Sequence, residues 1–237
     1  MAPLLQSSVR NKLLSGLTPV DFERLSPYLE PVELPRHFAL SAPDQISDHS
    51  YFLESGIGSI VAALSTGQEA EIGIFGREGM APTALVMHAQ SAPYSIFMQV
   101  GGMGFRIQSI RLSSALEDSF ALRSLLLRFA QVMAVQASFT ALSNATHHIE
   151  ERLARWILMC HDRSEGDTIA LTHEFLSIML AVRRQSVTTA LHVLEGQHLI
   201  VASRSRVMVR DREALEQFAG AAYGPPEKEY RRLIGHF

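Results

Sequence analysis

Residues 171–200 read LTHEFLSIMLAVRRQSVTTALHVLEGQHLI, and this stretch decides the fold of the C-terminal part of the chain. Its apolar residues recur at helical spacing, which predicts one helix over about 173–180 and a second over about 184–196. Val187 and Leu191, four residues apart, share one face of the second helix. Two short helices that are joined by a three-residue turn form a helix-turn-helix.

The opposite face of the second helix is polar, and a hairpin signal follows it. Apolar runs at 200–202 and 207–209 flank Ser203–Arg206, which predicts two strands with arginines at the connecting turn. Polar side chains on such a helix, with a hairpin beside it, can contact the base edges and phosphates of duplex DNA. The candidate DNA-binding residues are Arg183, Arg184, Gln185, Ser186, Thr188, Thr189, Arg204 and Arg206.

Charge is distributed unevenly along the chain. The 237 residues carry a net charge of −3, so the chain as a whole is not a basic nucleic-acid binder. Between residues 171 and 210, however, there are five arginines and only two glutamates. Arginine suits bidentate contacts with phosphate and guanine. A solvated surface and an ordinary helical hairpin are the alternatives that the same residues allow.

Residues 30–108 have a different texture. Short apolar runs alternate with Gly, Pro, Ser and Asp, which predicts many short strands in a small antiparallel roll or barrel. Residues 11–29, which precede the roll, are predicted to be helical. The fold class is therefore α+β. The predicted strands include Tyr51–Leu53, Ser59–Val61, Ile72–Phe75, Ser95–Met98 and Phe105–Ile107.

A long helix is predicted over about 110–145, because Pro and Gly are absent from 105–165 and apolar residues recur every three or four positions. Such a stripe packs on its own domain or pairs with its copy in a second subunit. We predict a homodimer, with Gln136 as a polar residue that sets the register. The candidate interface residues are Leu122, Leu126, Phe129, Met133, Gln136 and Thr140.

Taken together, these motifs resemble the CRP/FNR superfamily of bacterial transcription regulators. The family pattern has Leu-Thr before the first helix, a small residue in the turn, an arginine at the start of the recognition helix and a Leu-Glu…Leu-Ile exit. The upstream IEERLARWIL, residues 149–158, resembles the helix that opens the family's DNA-binding domain. The matching positions are Leu171, Thr172, Ala181, Arg184, Val187, Leu194, Glu195, Leu199 and Ile200.

The resemblance implies an architecture and a set of partners. It implies an N-terminal β-roll of the double-stranded β-helix or jelly-roll type, a long dimerisation helix and a C-terminal winged helix-turn-helix. The sensor domain is expected over 1–145 and the DNA-binding domain over 146–237. A homodimer that binds double-stranded DNA is implied, with RNA polymerase and a small-molecule effector as further expected partners.

The sensor half departs from the cyclic-nucleotide binders of the family. Those proteins carry a phosphate cassette with a Gly-Glu pair and a later Arg-Ser or Arg-Thr pair, whereas no arginine accompanies Ser91–Pro93. The candidate effector-binding residues are Gly76, Glu78 and Gly79, and a cyclic nucleotide is disfavoured there because a charge-assisted contact is missing.

The effector itself is left unknown by the sequence, which requires no cofactor. A single cysteine, Cys160, excludes the branch of the family that holds an iron–sulfur cluster on four cysteines. Haem ligation by a histidine stays open, with His37, His49 and His88 as the candidates.

Enzyme and metal motifs do not stand out. His147 and His148 are adjacent and lack the H-E-x-x-H spacing, and Cys160 and His161 are neighbours that cannot meet as a nucleophile and its base. No apolar run reaches the roughly 18 residues of a membrane span. We therefore expect a cytoplasmic, non-enzymatic regulator. The alternative is a small-molecule-binding or protein-interaction module whose helix-turn-helix does not bind DNA.

Overall fold

The computed structural model describes residues 4–236. The strands are β1 (Glu30–Leu34), β2 (Ala39–Ser41), β3 (His49–Leu53), β4 (Ile57–Ala63), β5 (Glu69–Phe75), β6 (Met80–Ala81), β7 (Ser95–Val100), β8 (Gly102–Gln108), β9 (Thr168–Ile169), β10 (Ile200–Ser203) and β11 (Arg206–Val209). The helices are α1 (Lys12–Ser15), α2 (Pro19–Leu25), α3 (Ser109–Asp118), α4 (Phe120–Thr146), α5 (Ile149–His161), α6 (His173–Leu180), α7 (Arg184–Gly196), α8 (Arg212–Ala219) and α9 (Pro225–Leu233).

The first eight strands form the predicted antiparallel roll. One sheet has the order β1-β8-β3-β6 and the other has the order β2-β7-β4-β5. Phe52 and Met98, one from each sheet, are fully buried in a common apolar core. Gly56 and Gly67 have positive φ angles at turns beside β4, a conformation that glycine adopts without steric cost. The α+β fold class is confirmed.

The predicted helices are interrupted at two positions. Residues 11–29, predicted to be helical, form the two short helices α1 and α2, because Thr18 caps a new helix whose first residue is Pro19. The predicted helix over 110–145 is divided at Ser119, which has an extended backbone. The Ser119 hydroxyl accepts a hydrogen bond from the Leu122 backbone N–H at 3.1 Å, so it caps α4.

Helix α4 runs along the roll and has two different faces. The face with Leu126 and Phe129 is buried in the roll's core. By length and composition α4 is apolar enough to cross a membrane, although its apolar residues do not form one uninterrupted run. A helix buried in the core of a globular protein meets the same criteria, and the burial of Leu126 and Phe129 in this chain's own core matches that case.

The C-terminal half has a second apolar core, and each half of the chain contributes residues to the core of the other. Ile57 and Ile74 of the roll belong to the C-terminal core. Tyr230 of α9 belongs to the core of the roll. Helix α9 was not predicted, and it packs back against α4. The roll and the C-terminal half therefore share a well-packed interface.

Candidate nucleic-acid interface

The helix-turn-helix is formed by α6 and α7, with the bounds that the sequence predicts. The Thr172 hydroxyl accepts a hydrogen bond from the Phe175 N–H at 3.2 Å and caps α6. Ala181 ends that helix in the left-handed conformation, with φ at 51°. The Val182 N–H then bonds the Ser177 carbonyl at 3.0 Å, so the turn closes on the helix before it.

An apolar layer fixes the angle between the two helices. Phe175 and Met179 of α6 meet Val187 and Leu191 of α7, and all four side chains are buried. Ala190 of α7 is fully buried in the same apolar cluster. The polar face of α7 is consequently turned away from the protein.

The structure brings most of the predicted DNA-binding residues to one exposed surface. Ser186 and Thr188 are partly buried. A groove of about 680 Å³ runs between the start of α6, the outer face of α7 and the hairpin, and Arg184, Thr188 and Arg204 all line it. The exposed members are Arg183, Arg184, Gln185, Thr189, Arg204 and Arg206.

The side chains on α7 are engaged within the chain. Arg184 forms an exposed ion pair with Glu174 at 3.1 Å. The hydroxyls of Thr188 and Thr189 each donate to the carbonyl four residues earlier, at 3.2 Å. A ligand that uses these groups must therefore replace existing contacts.

A hydrogen bond between Glu195 and Ala202 links the hairpin to α7. Strands β10 and β11 pair from Ile200↔Val209 to Ser203↔Arg206, which confirms the hairpin. Its turn is shorter than predicted, because Ser203 and Arg206 lie in the strands and only Arg204 and Ser205 connect them. The Glu195 carboxylate at the end of α7 accepts a hydrogen bond from the Ala202 N–H at 2.8 Å. This hydrogen bond joins α7 to the hairpin that carries Arg204 and Arg206.

Arg183 occupies the N-cap position of α7 without making a side-chain capping bond. The leading N–H groups of the helix are therefore not covered by a cap. They carry a partial positive charge and suit an anionic ligand.

The six residues predicted for the dimer interface occupy a different environment from the one expected. All six are buried within the single chain, with at most 9% of the side chain exposed. The Gln136 amide oxygen, for example, accepts a hydrogen bond from the Ile74 N–H of the roll at 2.7 Å. Leu122, Leu126, Phe129 and Met133 pack in the core of the roll, and Thr140 accepts a hydrogen bond from Arg155 of α5 at 3.0 Å. The stripe therefore has almost no surface left for a second chain. Its members are Leu122, Leu126, Phe129, Met133, Gln136 and Thr140.

The predicted effector residues lie in the tight loop between β5 and β6. The Glu78 carboxylate accepts hydrogen bonds from the Gly76 N–H and from Arg163 Nε, the latter at 2.7 Å. A Cβ atom at Gly79 would lie 2.5 Å from the Phe129 ring, so only glycine fits there. The loop is thus closely packed, and its one carboxylate already has a cationic partner.

A second buried polar group lies where the β5 sheet meets α5 and α6. Glu71 accepts a short hydrogen bond from the Ser59 hydroxyl, and its Oε1 atom has no hydrogen-bond partner among the described residues. Burial raises the pKa of Glu71 to about 8. Gln99 lies beside it and contacts the Met179 sulfur at 3.6 Å.

Glu174 and Glu195 are two site residues that the sequence reasoning missed. They are the only two acidic residues within 171–210, where five arginines also lie. This imbalance in the sequence could have indicated that each glutamate has a specific partner. Their partners depend on the fold, because Arg184 and Ala202 are brought close only by the turn and the hairpin.

Comparisons with known proteins agree with this geometry. The family model described as the Crp-like helix-turn-helix domain matches residues 151–218. A search of curated proteins finds no match.

Three solved structures share the fold over most of the chain. A CRP-family transcriptional regulator from Thermus thermophilus has a TM-score of 0.68 at 20% identity, covering 81% of this chain and 98% of that one. FixK2 from Bradyrhizobium japonicum has a TM-score of 0.69 at 14% identity, covering 81% and 98%. The c-di-GMP-responsive global regulator CLP from Xanthomonas campestris has a TM-score of 0.65 at 15% identity, covering 81% and 99%.

At these identities the structural matches show the fold, and the family model adds the helix-turn-helix sequence. Two of the three, those from Thermus thermophilus and Xanthomonas campestris, are described as regulators. Residues 151–218 thus match a Crp-like helix-turn-helix domain, and the chain shares the fold of these three solved structures over most of its length.

Proposed function

We propose that the chain acts as a cytoplasmic homodimer that binds a near-palindromic DNA site and regulates transcription. The observation that carries the proposal is the exposed polar face of α7 with the arginine-bearing hairpin tethered beside it. Two such helices would enter successive major grooves about 34 Å apart. RNA polymerase is the expected further partner. A helix-turn-helix that contacts only protein is the competing function.

The first test is binding to duplex DNA. Selection from a random duplex library gives the preferred site, and fluorescence anisotropy then measures affinity against salt concentration. We expect tight binding whose logarithm falls linearly with the logarithm of salt, because arginines displace counterions from phosphates. Absence of salt-dependent binding to any duplex would favour the competing function.

Arg184→Ala is expected to weaken binding to the selected site by about 1–3 kcal/mol and to relax base preference at one position of each half-site. Arg204→Ala is expected instead to weaken binding to all sequences and to reduce the salt slope by about 1. Arg106→Ala, which removes an exposed arginine of the roll paired with Glu30, is the matched control. Equal losses at Arg184 and Arg106 would contradict a reading role for Arg184.

The dimer surface that we propose is the exposed face of α4, opposite the buried stripe. Its residues follow spacings of four and three, the spacing of a coiled-coil seam. Most of the side chains are small, so two such helices can approach closely. The members of this α4 stripe are Leu127, Gln131, Ala134, Ser138, Ala141 and Ala145.

Leu127→Glu is expected to convert the dimer to a monomer, because it places two like charges at the seam. Light scattering coupled to size exclusion measures the mass, and the monomer should bind the palindromic site far more weakly. Leu64→Glu adds the same charge at an exposed leucine in the turn between β4 and β5. A dimer that persists in Leu127→Glu would contradict the α4 stripe.

Effector control through the roll belongs to the same proposal, with a ligand other than a cyclic nucleotide. The Glu78 carboxylate is already bonded to Arg163, so a nucleotide would have to displace a buried guanidinium. We expect cyclic AMP and cyclic GMP at millimolar concentration to leave the Tm unchanged in a thermal-shift assay. A concentration-dependent rise in Tm with either would contradict this expectation.

A further inference from the structure

Glu78 in the roll is contacted by two separate elements of the C-terminal half. Arg163, just after α5, donates from Nε to the Glu78 carboxylate at 2.7 Å. Tyr230 of α9 donates its hydroxyl to the Glu78 backbone carbonyl at 3.1 Å. Both ends of one residue, its side chain and its main chain, are therefore bonded to the other half of the molecule.

All three groups are shielded from solvent. The side chains of Arg163 and Glu78 are 3% and 2% exposed, and Tyr230 is fully buried. Solvent screening is weak in such surroundings, and a partner lost from a buried charge leaves the other charge unsatisfied. Separation of the two halves at this point therefore requires the contacts to break together.

The loop that carries Glu78 also touches α4. The Phe129 ring fills the space beside Gly79, and the Arg163 side chain fills the space beside Gly76. One short loop is thus packed against α4, which bears the proposed dimer stripe, and against the half that bears α7. A displacement of this loop would therefore change its packing against α4 and against the C-terminal half.

We propose that Glu78, Arg163 and Tyr230 form an interdomain latch that holds the helix-turn-helix in one orientation on the roll and preorganises it for DNA. Tyr230 lies outside the residues 151–218 that the Crp-like helix-turn-helix model matches, so α9 supplies the latch from beyond that domain. We assign the closed latch to the DNA-binding state because Arg184, Gln185 and Arg204 are exposed while these contacts are made. The latched state is open to DNA, and release of the latch loosens the spacing between two reading helices.

The latch rests on the proposed DNA-binding function, so its test includes a readout that needs no DNA. Tyr230→Phe removes the hydroxyl contact to Glu78 and keeps the ring in the core. Tyr223→Phe is the matched control, because its hydroxyl bonds Asp162 within the C-terminal half and makes no latch contact. Hydrogen exchange of residues 76–81 should speed up in Tyr230→Phe and stay unchanged in Tyr223→Phe.

DNA binding gives the second readout. Tyr230→Phe is expected to bind the selected site roughly 2–10-fold more weakly, the range that the loss of one hydrogen bond produces, with unchanged affinity for random duplex. Glu78→Gln weakens the latch at its other partner, the carboxylate that Arg163 contacts. The double variant Glu78→Gln/Tyr230→Phe should lose less DNA affinity than the product of the two single fold-changes.

The outcomes separate the latch from the DNA-binding proposal. Unchanged exchange at 76–81 in Tyr230→Phe overturns the latch whether or not the protein binds DNA. Faster exchange with unchanged or tighter binding to the selected site overturns its preorganising role. Faster exchange in a protein that binds no duplex at all would reject the DNA-binding function, and the preorganising role with it, while leaving the contact itself intact.

Discussion

Replacing Phe129 with alanine is expected to lower the free energy of unfolding by about 3–5 kcal/mol and to leave the proposed dimer intact. The Phe129 ring is 1% exposed and lies against Gly79 on the roll's side of α4. Its truncation leaves a cavity in the core that the rigid sheets can fill only in part. Denaturant unfolding at several protein concentrations measures the loss and separates it from dissociation.

Leu127→Ala is the matched comparison on the same helix, since Leu127 is exposed in the single chain. We expect it to change the stability of the isolated subunit by less than about 1 kcal/mol while weakening the dimer. If Phe129→Ala dissociated the dimer without a loss of core stability, the buried stripe rather than the α4 stripe would form the interface.

The second large effect is a pH dependence that arises from Glu71. Because burial raises its pKa from 4.5 to about 8, the folded state holds a proton on this carboxyl that the unfolded state releases. Stability is therefore highest below pH 4.5, as far as this group is concerned, and falls as the pH rises to about 8. Each unit of pKa difference corresponds to about 1.4 kcal/mol, so the group alone changes the unfolding free energy by several kcal/mol.

Glu71→Gln imitates the protonated carboxyl and should remove most of this slope. The difference between wild type and variant isolates Glu71 from Glu227, whose pKa burial also raises. Glu69→Gln, at an exposed position of the same strand, is the control. Parallel stability curves for wild type and Glu71→Gln across this pH range would show that Glu71 is ionised in the folded protein.

The helix-turn-helix could be predicted nearly to the residue because its determinants are local. The capping residue Thr172, the left-handed turn at Ala181 and the apolar spacing on α7 lie within thirty consecutive residues. The roll was predicted as a class, but β1, β2 and β6 were not among the predicted strands. A two-residue strand such as β6 is defined by its pairing with β3. Two residues are too few for a sequence pattern, so this strand could not be predicted locally.

The choice between the two faces of α4 could not be made from sequence. Both faces follow three- and four-residue spacing, and the face with the larger apolar side chains was taken for the seam. The roll needs those same large side chains, because Phe129 and Met133 fill spaces beside Gly79 and Gly73. Likewise, Glu78 and Arg163 are 85 positions apart, a separation at which spacing carries no information.

The contacts between the outer face of the β5 sheet and α6 have a consequence for protein engineering. Phe97 stacks edge-on against Phe175, with ring centroids 6.3 Å apart, and Gln99 touches Met179. A chimaera that grafts the helix-turn-helix domain of another protein of this fold onto this roll would leave Phe97, Gln99 and Glu71 against an unmatched surface. Such an exchange thus has to include the strand residues that support α6 together with α6 and α7 themselves.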